Sequence, residues 1–133
     1  MSDPKKIKFM KSHEWLALDG SLGTVGISDH AQKEITDVVF LEPPKVGRMV
    51  KQGEACCVVE SVKSAFDIYA PISGEIAAVN TDAIKDPALV NTDAFGKGWL
   101  FQIKASAPEE ASKLMDQAAY NEFLKAEAAH GSH

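Results

Sequence analysis

A chain of 133 residues with 45% apolar and 25% charged side chains has the composition of one soluble globular domain, long enough to bury a core without disulfide or metal staples. Its net charge of −5 and pI near 5.3 argue against a nucleic-acid surface or an anionic membrane as partner. No apolar run approaches the length of a membrane span, and Met1 to Lys6 is not followed by the apolar stretch of a secretory signal.

Along the chain, Lys5 to Lys11 places Ile7 and Phe9 at alternate positions among lysines, the pattern of a strand near a sheet edge. His13 to Leu18 follows, then the turn signal Asp19-Gly20-Ser21 and a return strand over Leu22 to Ile27, in which Gly23 and Gly26 allow tight packing or a bulge. Asp29 is placed to N-cap a short helix from His30 to about Ile35, with Gln32 as its capping-box partner. Asp37 to Leu41 reads as a strand stopped by Pro43-Pro44. Val46 to Glu54 and Ile72 to Asn80 echo one another weakly, each a glycine followed by an apolar residue two or three positions on, and suggest a quasi-symmetric, flattened β structure.

Between these half-motifs lie two β-rich runs, Ala55 to Val59 and Phe66 to Ala70, that read as a hairpin. Its turn spans Ser61 to Ala65 and presents Lys63 to solvent. With neither Gly nor Asn in the turn, a longer connection is expected rather than a two-residue one. Lys63 is a flexible stem ending in an amine; most surface lysines are solubilising charges and no more. Cys56 and Cys57 are neighbours in a strand, poorly placed to bridge each other, and read as small, partly buried, unpaired residues.

Thr81 to Thr92 is polar, with Asn80, Pro87 and Asn91 as breakers, and reads as irregular. Gly96-Lys97-Gly98 is a turn and Trp99 to Ile103 an apolar strand. Ser106-Ala107-Pro108-Glu109 is a helix start, after which Leu114, Met115, Ala118, Ala119, Phe123 and Leu124 form a stripe suited to packing on the sheet. Asp116 is placed to break this helix and cap a second segment. The tail from His130 to His133 reads as frayed. His13 and His30 have no nucleophile and orienting carboxylate beside them in the sequence, so both read as capping or packing residues, and no catalytic triad, metal set or phosphate loop appears.

An ordered set of short motifs resembles the glycine cleavage system H protein over about Ser12 to Tyr120. The marks are Ser12-His13-Glu14-Trp15, Val25-Gly26-Ile27-Ser28-Asp29-His30-Ala31-Gln32, Asp37-Val38-Val39-Phe40, Glu60-Ser61-Val62-Lys63, Ser73-Gly74-Glu75 with Val79-Asn80, Leu89-Val90-Asn91 and Gly98-Trp99. Two stretches depart from the family pattern: Glu42-Pro43-Pro44-Lys45 stands where a more acidic segment is usual, and Ser64-Ala65-Phe66 where smaller polar residues are common.

The resemblance implies a mainly β fold, a flattened barrel-sandwich hybrid with a short helix near 29–35 and C-terminal helical segments. It also implies one lipoyl-carrier domain over 1–133, with a core over about 5–104 and a helical segment over about 107–128. By the same resemblance Lys63 carries lipoic acid in amide linkage and the protein is a non-catalytic carrier. The lipoyl arm would take the aminomethyl group from a pyridoxal-phosphate glycine decarboxylase and pass it to a tetrahydrofolate-dependent aminomethyltransferase. An FAD-containing dihydrolipoyl dehydrogenase would then reoxidise it. A lipoate ligase or a lipoyl/octanoyl transferase would attach the cofactor, with Glu60 aiding its recognition of the turn.

Ser12, Glu14 and Asp67 match the family residues that hold the cationic amine of the loaded arm, a role for which a carboxylate is the sensible partner. A monomer is implied, in a bacterial cytoplasm or, for a mature organellar form, the mitochondrial matrix. Two other readings share the lysine motif: an H-like protein relaying lipoate to other enzymes, and a biotin carrier. Val62 and Ser64 stand where biotin carriers usually have methionines, which argues against the last.

Overall fold

The structure is a computed structural model that describes residues 7–130. The expectations for Lys5, Lys6 and the tail from Gly131 to His133 lie outside the described residues.

Among the described residues nine strands form two antiparallel sheets. The strands are β1 (Ile7–Phe9), β2 (Glu14–Asp19), β3 (Leu22–Ile27), β4 (Val38–Glu42), β5 (Met49–Val50), β6 (Ala55–Ser61), β7 (Ala65–Tyr69), β8 (Gly74–Val79) and β9 (Phe101–Ala105). One sheet has the order β1-β2-β3-β9-β8-β5, and the other has the order β4-β6-β7. The architecture is the expected flattened barrel-sandwich, with the sheets left open rather than closed into a ring. As expected, β1 is an edge strand and β2 and β3 are joined by the Asp19–Ser21 turn, Asp19 pairing with Leu22. The two halves of the weak echo meet: β5 pairs with β8, Met49 opposite Glu75.

β2 departs from simple alternation because both of its faces are covered. Trp15 and Ala17 join Ile7, Phe9 and Tyr120 in one apolar cluster, while Leu16 lies in the main core with Val25, Ile76, Phe101 and Ile103. Period two therefore puts Glu14 on the same face as Leu16, pointing inward. The glycines of β3 serve close packing. A Cβ on Gly26 would stand 2.6 Å from the indole of Trp15, its cross-strand partner, and one on Gly23 2.7 Å from Leu16.

Three helical expectations from the sequence need revision. The first helix, α1 (Asp29–Ile35), is capped one residue earlier than expected, by Ser28, whose Oγ accepts from the Ala31 amide. Asp29 lies in the first turn and instead takes a bond from Gln32 and an ion pair from Lys33. The stretch expected to be irregular holds two short helices, α2 (Thr81–Lys85) and α3 (Leu89–Thr92), whose Ala83 and Val90 are fully buried. Two of its supposed breakers are clamps. Asn80 caps α2 through its Oδ1 and donates from Nδ2 to the carbonyls of Lys97 and Trp99. Asn91 accepts from the Val38 amide and donates to the Thr36 carbonyl, fixing the entry to β4.

The Ser106 helix start yields only a 3-10 segment, Pro108–Lys113, with no side-chain cap. Its Glu110 instead accepts from the amide and hydroxyl of Ser73. The break at Asp116 is present, because Met115 pairs with Phe9 across a β-bridge. The last helix, α4, then runs over Gln117–His130, with Asp116 accepting from the Ala119 amide. The C-terminal helical region is thus two segments, 108–113 and 117–130, divided at Asp116 as expected.

Candidate functional site

The tip of the β6–β7 hairpin consists of Val62, Lys63 and Ser64, and one side chain organises it. Ser61, the last residue of β6, is buried and accepts at Oγ from the amides of Lys63 (3.3 Å) and Ser64 (3.2 Å). Its own amide donates to the Ser64 carbonyl at 2.8 Å. The Val62 amide donates to the Asp37 carbonyl, which ties the tip to the start of β4. A serine that bonds its neighbours' backbone builds a tight connection without glycine, which explains the glycine-free turn.

The Lys63 side chain is exposed, and none of the hydrogen bonds or ion pairs among the described residues engages it. Exposed apolar side chains stand at this end of the three-stranded sheet: Val62 is 70% exposed, Val39 53%, Phe40 50% and Phe66 37%. Exposed apolar side chains gathered at one end of a sheet mark a contact surface. Glu60 is half-buried on β6, opposite Phe40 on one side and Ala65 on the other.

Glu14 is only 1% exposed. Its Oε1 accepts from Ser12 Oγ at 2.5 Å and its Oε2 from the Tyr69 amide at 2.7 Å, so a carboxylate on the six-stranded sheet holds the base of the hairpin. Burial pushes the Glu14 carboxyl above the ordinary carboxylate range, and the Ser12 and Tyr69 bonds only partly offset this. Asp67 is exposed and lines a surface cavity of about 270 Å³ with Pro44, Arg48, Cys56 and Val58. Ser12 and Glu14 are therefore in contact, and Glu14 reaches β7 two residues beyond Asp67. Among the described residues Asp67 bonds to neither of them.

Cys56 and Cys57 are unpaired and buried, with a bulge between Ala55 and Cys57 turning both inward. Burial raises both thiols, that of Cys56 to about 12, which leaves no reactive thiolate near neutral pH. The sequence reading did not single out Tyr120. This buried tyrosine stacks on Phe9 with ring centroids 4.2 Å apart, and its hydroxyl lies 2.8 Å from His13 Nδ1 and 2.7 Å from Ser28 Oγ. Its only signal was a place near the apolar stripe of the last helix. His13 and His30 do pack, with ring centroids 4.9 Å apart.

Residues 7–127 match the family model for glycine cleavage H-protein. The glycine cleavage system H protein of Parvibaculum lavamentivorans is 48% identical over 125 residues, 94% of this chain and 98% of that protein. The protein of the same name from Bradyrhizobium diazoefficiens is 53% identical over 112 residues, 84% of this chain and 92% of that one. Among solved structures, a glycine cleavage system H protein from Mycobacterium marinum superposes with a TM-score of 0.73 at 36% identity, covering 84% of this chain and 98% of the other.

Proposed function

The chain belongs to the glycine cleavage H-protein family, and from that premise we propose that Lys63 is the point at which lipoic acid is attached, as an amide on Nζ. The protein is the lipoyl-carrying, non-catalytic component of the glycine cleavage system. The observation that carries the assignment of Lys63 is its place: a free, exposed amine at a hairpin tip whose backbone is held by Ser61. When bound, the cofactor supplies a reactive disulfide that the buried thiols of this chain do not offer. The protein contributes a fixed attachment point, an apolar contact surface around it, and a carboxylate beneath the hairpin.

The partners that fit this role are glycine decarboxylase, the tetrahydrofolate-dependent aminomethyltransferase, dihydrolipoyl dehydrogenase and a lipoate-attaching enzyme, each visited by one lipoyl-carrier domain acting as a monomer. Ser12, Glu14 and Asp67 are proposed to hold the cationic end of the loaded arm. Glu14 suits this because a buried carboxylate already beside the hairpin gains most from an incoming cation. Glu60, next to the turn, is proposed to aid recognition by the attaching enzyme. Among the described residues no helix is long and apolar enough to cross a membrane. No observation favours the lipoate-relay or biotin-carrier readings.

Peptide mass mapping after expression in lipoate-fed cells tests the assignment. A lipoyl adduct is expected on Lys63 and absent in Lys63→Arg, with the melting temperature unchanged. An unmodified Lys63, beside a control carrier domain modified in the same cells, overturns it.

A further inference from the structure

We propose that His13, His30 and Glu127 bind a divalent transition-metal ion of the Zn²⁺ class, pinning α4 to the β1–β2 turn and to α1. The three residues come from separate parts of the chain, yet one ligand atom from each lies within 4.8 Å of the others. His13 Nε2 is 3.6 Å from Glu127 Oε1, and His30 Nε2 is 3.5 Å from Glu34 Oε1. Two imidazoles and a carboxylate supply three protein ligands to a dication. Nitrogen with carboxylate oxygen favours Zn²⁺ and its neighbours over Ca²⁺ or Mg²⁺.

Hydrogen bonding through Nδ1 holds the His13 ring with Nε2 toward Glu127. His13 Nδ1 shares a hydrogen bond with the Tyr120 hydroxyl, which shares another with the Ser28 hydroxyl, and Ser28 Oγ also accepts from the Ala31 amide. His13 Nε2 stays outside this relay and faces Glu127. A ligating histidine fixed through its other ring nitrogen is the usual arrangement at metal sites. Ligands about 2.1 Å from a tetrahedral ion stand about 3.4 Å apart, so the three must draw together from their present separations of up to 4.8 Å. His30 and Glu127 are 37% and 47% exposed at their side chains, so they are free to make that adjustment.

Isothermal titration of the full-length, unlipoylated chain with Zn²⁺ tests the site, since no lipoyl dithiol then competes. One ion per chain is expected, with a rise in melting temperature. His30→Gln and Glu127→Gln should each weaken binding at least tenfold while leaving the metal-free melting temperature within about 1 °C. Long-range ¹H–¹⁵N spectra should show the Nε2 resonances of His13 and His30 shifting together at one equivalent. Absence of binding, or an affinity in both variants equal to that of the parent chain, overturns the site. So does loss of binding only in a His130→Gln/His133→Gln chain, which would assign the ion to the tail. Each of these results leaves the Lys63 assignment untouched.

Discussion

At one end of the β6–β7 hairpin, Lys63 stands in solvent with its side chain unengaged. At the other end, the Tyr69 amide is spent on a carboxylate that is 1% exposed. The tip is held by backbone bonds to one serine; the base is held by a charge-bearing group inside the protein. A carrier needs both. The attached arm must sweep freely, while its origin stays fixed relative to the surface that partners read. Mobility therefore belongs to the side chain beyond Lys63, and rigidity to the strands beneath it.

If this division holds, damage at the base should reach the fold and damage at the tip should stay local. Glu14→Ala has the largest expected effect, because it leaves the part-buried Tyr69 N–H without its acceptor. A loss of about 1–3 kcal/mol is expected, read as a lower urea midpoint at constant slope. Ser61→Ala should cost about 1 kcal/mol and act locally: hydrogen exchange should speed up at Lys63 and Ser64 but not at Tyr69. Equal acceleration at both ends would break the comparison.

The smallest expected effect is on pH dependence. Glu14 has a folded pKa raised above its unfolded value of 4.5, mainly by burial. The unfolded chain therefore releases this proton first as pH rises. The stabilisation is full below pH 4.5 and is lost as pH climbs through the folded pKa. Urea unfolding across that window should show a stability decline in the parent chain that Glu14→Gln flattens.

Much of this was legible because local rules and tertiary demands agreed. Alternating Ile7 and Phe9, the Asp19-Gly20 turn and the β-branched runs around Lys63 each specify a strand or turn from neighbours alone. Asp116 broke the C-terminal helix as its cap chemistry suggested. The errors arose where distant partners decided the outcome. Asn80 and Asn91 resemble loop residues in sequence, yet their amides satisfy carbonyls 17 to 55 positions away. The Ser106 start failed because Glu110 found Ser73, and Met115 was drawn into a bridge with Phe9.

The sequence by itself determined the strand order along the chain, the exposed lysine at a hairpin turn and, through an ordered set of motifs, the family. These follow from periodicity, turn chemistry and residue identity, which are properties of near neighbours. Only the tertiary structure decided that Glu14 is buried, that it clamps Tyr69 across two sheets, and that His13, His30 and Glu127 converge. A carboxylate looks like a surface charge until both faces of its strand are covered. Three ligands 17 to 114 residues apart become one site only when α4 docks.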